Sequence, residues 1–176
     1  MTSTAKDQMP DADSGLEPGS TSDGRFLAEQ EFRSAIRALP LVSIDLLVFN
    51  PSGDKVLLGL RRNPPAQGTW FVPGGRLRKG ERLRSAWQRL CRAELGIDQA
   101  WSAAALVGIF EHFYPDNFLG EPAPTHYVVH AYKLVLDEMI AQHTNTMKPA
   151  RQMVNIPTQR IRHGLCFIVI EQTRQV

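Results

Sequence analysis

The chain is poor in cysteine, since its 176 residues include only Cys91 and Cys166. A zinc site needs several cysteine or histidine ligands at short spacings, and a small disulfide-stabilised fold needs more cysteines than two. Two cysteines this far apart fit neither class of protein. They indicate two reduced thiols, as expected for a cytoplasmic protein.

Long apolar segments are missing as well. The longest nearly apolar run, from Ala100 to Phe110, is too short to span a bilayer, and the opening MTSTAKDQMPDADSG lacks the apolar core of a secretory signal. We therefore expect no membrane partner and a cytoplasmic location. The length suits one domain. We expect a disordered tail over residues 1–24 and a folded domain over 25–176, of which 137–176 has no clear pattern.

Acidic residues are scarce in GGRLRKGERLRSAWQRLCRAELGI, residues 74–97, where no carboxylate lies between Glu81 and Glu94. From Arg61 to Glu94 there are nine basic residues against two acidic ones, although the formal net charge of the chain is only +2. The nine are Arg61, Arg62, Arg76, Arg78, Lys79, Arg82, Arg84, Arg89 and Arg92. Scattered surface arginines would explain single members, but the group brackets a glycine pair and favours an anionic ligand. The basic stripe with regularly interleaved aromatic residues that is typical of a single-strand binder is missing, so we expect no nucleic-acid partner.

The hydrophobic pattern predicts an α/β fold. Apolar residues recur at helical spacing from Phe26 to Leu39, and Pro40 ends that segment. Strands are predicted over 41–50, 55–62, 105–114 and 125–136, with an extended loop over 63–75 and a second helix over 81–95. Strands on either side of a helix in this order indicate an α/β sandwich with a mixed sheet.

Two carboxylates stand among apolar neighbours. Asp45 lies inside the strand LVSIDLLVFN, where it needs a buried partner or points into a cleft. Glu94 falls on the apolar face of the second helix at 100° per residue. The other members of that face are Leu83, Ala86, Trp87 and Leu90. Glu94 therefore pairs with an arginine, caps a loop or binds a cation. The nearby glycines and arginines favour a single Mg²⁺, completed by a backbone carbonyl, water and phosphate.

The spacing of residues 75–97 resembles the Nudix box, G-x5-E-x7-R-E-U-x-E-E-x-G-U, in which U is a bulky apolar residue. The matching positions are Gly75, Glu81, Arg89, Cys91, Glu94, Gly96 and Ile97. Leu90 and Ala93 replace two acids of the box. An ordinary Nudix pyrophosphatase uses those acids to bind further divalent ions and to activate water at phosphorus. Their replacement argues against that reaction.

This pattern of replacements looks like one branch of the superfamily, the GDP-mannose mannosyl hydrolases. The segments PLVSIDLLVFN, LLGLRRNPPAQGTWFVPGGR, IFEHFYPDNF and THYVV are also similar to that branch, and the resemblance covers about residues 25–136. It implies a Nudix-like α/β/α sandwich with a mixed β-sheet and a homodimer. It also implies one Mg²⁺ per subunit, with Mn²⁺ as an alternative ion.

The resemblance further implies roles for individual residues. The Mg²⁺ would be held by the backbone carbonyl of Gly75, by Glu94 and by Gln142. His143 matches the general base, and Asp45 matches an aspartate near the sugar. The resemblance also implies that the substrate is bound by Arg61, Arg76, Arg89, Tyr127 and His112. Arg76 is implied to take part in catalysis as well.

The implied reaction is Mg²⁺-dependent hydrolysis of a GDP-sugar, GDP-mannose first and GDP-glucose second, to GDP and the free sugar. Water would attack the sugar C1 with inversion, which needs one base and a leaving group neutralised by Mg²⁺ and arginines. Two alternatives stay open. One is a nucleotide-sugar pyrophosphatase that releases GMP and a sugar phosphate. The other is a non-catalytic nucleotide-sugar-binding module.

Overall fold

The computed structural model describes residues 27–119, 123–137 and 151–155. Its helices are α1 (Glu29–Ala38), α2 (Leu83–Leu90), a π-helical segment that continues α2 (Cys91–Leu95) and a short 3₁₀ helix (Trp101–Ala103). Its strands are β1 (Leu41–Phe49), β2 (Lys55–Leu60), β3 (Trp70–Phe71), β4 (Gly74–Arg76), β5 (Ala105–Tyr114), β6 (Thr125–Val135) and β7 (Arg151–Asn155).

Within these residues the seven strands form one sheet in the order β3-β2-β1-β6-β5, with β4 paired to β1 and β7 paired to β2. β1 and β6 run parallel, with Leu41 opposite Tyr127 and Phe49 opposite Val135. The other pairings are antiparallel. The mixed sheet and the α/β class predicted from the sequence are therefore confirmed.

β1 is buried on both faces, which explains why its sequence is almost continuously apolar. Successive side chains of a strand point to opposite faces. Ile44 and Leu46 pack with Trp87 of α2 in one core cluster. Leu47 and Phe49 belong to a second cluster. Asp45 is thus held on a strand whose position is fixed from two sides.

The second helix is shorter than the sequence suggests. The prediction placed it over 81–95, but α2 begins at Leu83, because Gly80 has a left-handed φ of 74° and Arg82 is extended. Glu81 therefore precedes the helix instead of lying in its first turn. From Cys91 to Leu95 the chain winds as a π-helix, which ends at Gly96 with a φ of 70°. The apolar face is confirmed, since Ala86, Trp87 and Leu90 are buried.

The structure differs from the sequence-based expectations at three further places. The segment 63–75, predicted as a loop, contains β3 and reaches into β4. β7 was not predicted, because its sequence RQMVN has no strong apolar alternation. Leu27 and Leu39 belong to the apolar residues at helical spacing between Phe26 and Leu39, but both lie outside α1 and are exposed. In the part of the chain that the structure describes, no helix is long and apolar enough to cross a membrane.

Candidate active site

A cavity of about 680 Å³ lies along one end of β1. Its wall is built by β1, the end of β2 with the loop after it, β3, β4, the π-helical segment, β5, β6 and β7. This volume is within the usual range for small-molecule sites. Among the described residues, four arginines but only two carboxylates line it, namely Arg61, Arg62, Arg76 and Arg151 against Asp45 and Glu94. The excess of positive charge fits an anionic ligand.

Two of the arginines are supported by aromatic rings. The guanidinium carbon of Arg76 lies 4.0 Å from the ring centre of Phe32 and 5.3 Å from that of Phe118. The guanidinium carbon of Arg61 lies 4.9 Å from the ring centre of Phe71. Such contacts hold a guanidinium in place while leaving its N–H groups directed in its own plane. Both side chains are therefore oriented before a ligand arrives.

The glycine pair of β4 is explained by close approach of neighbouring atoms. A Cβ on Gly74 would lie 2.4 Å from the carbonyl oxygen of Ile44, and a Cβ on Gly75 would lie 2.8 Å from Cδ2 of Leu90. β4 can therefore lie against β1 and α2 only because both residues lack a side chain. This close packing places the backbone of Gly75 and the side chain of Arg76 on the cavity wall.

Asp45 is buried within this wall, with 5% of its surface exposed. Burial raises the pKa of its carboxyl group to about 7, against the opposing influence of the positive charge of Arg61. A carboxyl group of this kind exchanges a proton near neutral pH, which suits a group that contacts a reacting substrate.

His112, Tyr114 and Tyr127 form the wall on β5 and β6. The hydroxyl of Tyr114 lies 3.2 Å from Nδ1 of His112, and Nε2 of His112 is buried without a hydrogen-bond partner among the described residues. Burial and the charge of Arg61 lower the pKa of His112, so its ring is neutral at neutral pH. Burial raises the pKa of Tyr127, against the opposing charges of Arg76 and Arg61. Tyr127 therefore keeps its proton and can donate to an anion.

Glu94 lies in the π-helical segment, and its carboxylate is held by Arg151 of β7. The Nη2 group of Arg151 donates to Oε2 of Glu94, and its Nη1 group donates to the backbone carbonyl of the same residue. Exposed fractions are 25% for the Glu94 side chain and 7% for the Arg151 side chain. The arginine partner considered for Glu94 in the sequence is therefore present, and both residues still line the cavity.

The replaced box positions are not part of the cavity wall. Leu90 is buried in the core beside Gly75, and Ala93 is exposed. Glu81 and Arg89 form a two-point ion pair, with Nε to Oε1 at 2.7 Å and Nη2 to Oε2 at 2.8 Å. Nη2 of Arg89 also donates to the carbonyl of Arg76 at 3.0 Å. Arg89 thus lies outside the cavity wall and fixes the end of β4.

The structure brings most of the residues predicted for the site together. Those lining the cavity are Asp45, Arg61, Gly75, Arg76, Glu94, His112 and Tyr127. Gln142 and His143 lie outside the described residues. His126 stacks on Phe113 and lies 3.2 Å from Glu111, and it is not among the residues that line the cavity. Arg151 was missed, because nothing in RQMVN distinguishes a site residue from a surface one.

The donor set at Glu94 fits one divalent ion. Among the described residues there is no group of three or more His, Cys, Asp or Glu side chains arranged to hold a metal. Mg²⁺, however, is commonly bound through one or two carboxylates, with water and substrate phosphates as its other ligands. Glu94 faces a cavity that is rich in phosphate-binding groups, so it can serve as the protein anchor of such an ion. A metal ion bound there would share the Glu94 carboxylate with the guanidinium of Arg151.

The mixed-sheet α/β domain has a cavity lined by arginines, by Glu94 of the π-helical segment and by the glycine pair of β4, and this arrangement is suited to phosphorylated small molecules. Residues 39–156 match the family model of the NUDIX domain. The chain therefore belongs to the Nudix family, whose hydrolases generally use divalent metal ions such as Mg²⁺ and act on nucleotide derivatives.

Individual proteins are similar to different extents. The low-salt glycan biosynthesis protein Agl8 of Haloferax volcanii is 38% identical over 122 residues, which cover 67% of this chain and 76% of Agl8. The structure of Shewanella oneidensis NrtR complexed with a 27mer DNA has a TM-score of 0.52 and 18% identity, covering 76% of this chain and 59% of that one. A MutT/nudix family protein of Enterococcus faecalis has a TM-score of 0.44 and 22% identity, covering 64% and 45%. This chain thus spans less than two thirds of either solved chain, and the likeness to NrtR shows the fold alone.

Proposed function

We propose that the protein hydrolyses a nucleoside diphosphate sugar, with GDP-mannose as the first substrate to test and GDP-glucose as the second. The products are GDP and the free sugar, formed by attack of water at the sugar C1 with inversion. The observation that carries this proposal is the cavity itself, in which Arg61, Arg76 and Tyr127 surround a space beside Asp45 and His112. The similarity to Agl8, which is named for glycan biosynthesis, supports a sugar-containing substrate.

The arginines are suited to the leaving group. When the bond between C1 and the diphosphate oxygen breaks, its electron pair stays on GDP, and the added negative charge needs neutralisation. Arg61 and Arg76 present fixed cations, and the Tyr127 hydroxyl can donate a hydrogen bond to the same oxygens. Mg²⁺, when bound at Glu94, adds further positive charge beside the diphosphate.

The attacking water needs a group that accepts its proton as the new bond to C1 forms. His143 is the proposed base, and His112 is the alternative, because its buried neutral ring has an unpartnered Nε2 among the described residues. Asp45 lies on the same wall and is proposed to contact the sugar.

Attack at carbon also agrees with the altered box. A pyrophosphatase places water on phosphorus with the help of several metal-bound carboxylates. Here one of those positions is the buried Leu90 and the other is the exposed Ala93, so neither side chain can provide an oxygen ligand to an ion. This observation favours release of GDP over release of GMP.

A second function is favoured by one contact. Because Arg151 already holds the carboxylate and the carbonyl of Glu94, the site carries a permanent cation without a metal. A nucleotide-sugar-binding module without turnover would use such a site directly. We keep this as the second candidate.

The deciding experiment is incubation of the protein with GDP-mannose and Mg²⁺ in ¹⁸O-water, followed by mass analysis of the products. Label in mannose supports the proposed reaction. Label in GMP or in mannose 1-phosphate identifies a pyrophosphatase. Binding of GDP-mannose without turnover identifies the binding module.

Substitution of the proposed base refines this test. His143→Ala should lower the turnover rate at least about a hundredfold while GDP affinity stays within about twofold, since a general base contributes to the rate and not to nucleotide binding. An unchanged rate would move the role to His112, to be tested with His112→Gln.

A further inference from the structure

The contact between Arg151 and Glu94 is built into the sheet. Arg151 is paired with Gly59 across β2 and β7. A Cβ on Gly59 would lie 3.3 Å from Cγ and 3.6 Å from Nε of Arg151. The missing side chain of Gly59 therefore provides the space in which the arginine crosses the cavity wall toward Glu94.

The guanidinium of Arg151 contacts both kinds of oxygen atom that Glu94 could offer a cation. Nη2 donates to the carboxylate and Nη1 donates to the backbone carbonyl. Arginine keeps its charge at every pH relevant to proteins. The Arg151 side chain is also 7% exposed, so solvent weakens this ion pair less than a surface pair. Glu94 is thus neutralised before any other cation arrives.

We propose that Arg151 is a tethered cation that competes with the divalent metal for Glu94, so that the metal binds well only after the diphosphate has entered. This inference rests on the proposed function, which assigns Glu94 to the metal. An arriving diphosphate brings several negative oxygens to the arginine-lined cavity. Those oxygens provide Arg151 with another acceptor and provide the metal with additional ligands. Metal and nucleotide then strengthen each other's binding by the same factor.

The test measures metal binding directly, using the full chain and Mn²⁺. The electron paramagnetic resonance signal of free Mn²⁺ gives its dissociation constant with and without GDP. In the unaltered protein, GDP should strengthen Mn²⁺ binding. In Arg151→Gln, we expect Mn²⁺ to bind about tenfold more tightly without GDP, and the effect of GDP to fall by a similar factor, because a buried competing charge has been removed.

Arg92→Gln is the matched control. Arg92 lies in the same π-helical segment as Glu94, but its guanidinium pairs with the exposed carboxylate of Asp98. The substitution removes one positive charge from the same neighbourhood without removing a contact to Glu94. Its Mn²⁺ affinity should stay within about twofold of the unaltered protein, because an exposed charge is strongly screened.

Further variants separate this inference from the proposed function. If Arg151→Gln leaves the Mn²⁺ affinity unchanged while Glu94→Gln abolishes binding, the competition is refuted and the metal assignment stands. If Glu94→Gln binds Mn²⁺ normally, both ideas fail. The double variant Glu94→Gln, Arg151→Gln should bind Mn²⁺ no more tightly than Glu94→Gln alone, and tighter binding in the double variant would refute a competition at Glu94.

If Arg151→Gln loses its thermal unfolding transition, Arg151→Lys replaces it in the test. Lysine cannot donate to both atoms in the same geometry, so an intermediate tightening is expected, and unchanged affinity would refute the proposal.

Discussion

At the scale of single residues, the cavity depends on charges held in low-dielectric surroundings. Arg76 is the clearest example, because its guanidinium lies over the rings of Phe32 and Phe118 and interacts electrostatically with Tyr127. Burial lowers the pKa of its guanidinium, which nevertheless remains charged. A planar, aromatic-stacked cation is the feature that this position provides.

Arg76→Lys tests that feature. Lysine keeps the charge but loses the planar stacking and the two parallel donors, so the GDP dissociation constant should rise about tenfold. Isothermal titration calorimetry measures this constant. Arg84→Lys, at an exposed position of α2, is the control and should leave it unchanged. Equal effects of the two substitutions would remove Arg76 from the binding site.

Asp45 links the site to stability. Between about pH 4 and pH 7 the folded protein holds a proton on Asp45 that the unfolded chain has already released, so this residue makes stability fall as pH rises through that window. Asp45→Asn removes the ionisable group. Its free energy of unfolding should equal that of the unaltered protein near pH 4 and exceed it by a few kcal/mol, on the order of 3, near pH 8.

Urea unfolding at pH 4, 6 and 8 provides the comparison for Asp45. Turnover of GDP-mannose should fall in Asp45→Asn at every pH, if the carboxyl contacts the sugar. A stability difference that does not change with pH would show that the Asp45 charge is fully compensated in the fold.

At the scale of elements, the sequence predicted which helices and strands are present better than it predicted where each of them begins and ends. The strand 105–114 matches β5 residue for residue, because alternation and the following proline define it. The helix 81–95 was too long, because its apolar face continues through Leu95 while the backbone does not. Gly80 and the extended Arg82 delay its start, and the change to π geometry after Leu90 was not visible in a pattern of period 3.6.

The two glycines of β4 give a prediction at this scale. Gly74→Ala would place a Cβ against the backbone carbonyl of Ile44, which cannot move without displacing β1, so we expect a loss of about 2 kcal/mol or more in the free energy of unfolding. Gly75→Ala meets only the end of the Leu90 side chain, which can rotate, so a loss of about 1 kcal/mol is expected. Urea unfolding checks both, and equal losses would contradict the close approach of β4 to β1.

At the scale of the whole molecule, β5 presents an exposed apolar face. It ends the strand order of the sheet within the described residues, and Ile109 is 58% and Phe113 69% exposed. Leu106 and Val107 on the same strand are exposed as well. We propose that these exposed apolar residues of β5 form the interface of a homodimer, the state that the resemblance implies.

Light scattering after size exclusion tests the dimer. The unaltered protein should have twice the mass of the 19.7 kDa chain. Ile109→Asp should shift it to the monomer, because a carboxylate would be buried in the interface. Leu39→Asp, which changes an equally exposed leucine outside β5, should leave the dimer intact. A monomeric unaltered protein would refute this part of the proposal.

The sequence by itself determined the α/β class, the positions of most strands and the spacing of the Nudix box. These features depend on local periodicity and on fixed distances along the chain, which can be read without knowing the fold. It also indicated that Asp45 and Glu94 were unusual, because a carboxylate among apolar neighbours is costly. Only the tertiary structure decided what surrounds Glu94. Arg151 lies 57 residues away in sequence and meets it because the register of β7 on β2 sets it opposite Gly59. A register between distant strands results from packing of the whole sheet, and no local pattern encodes it.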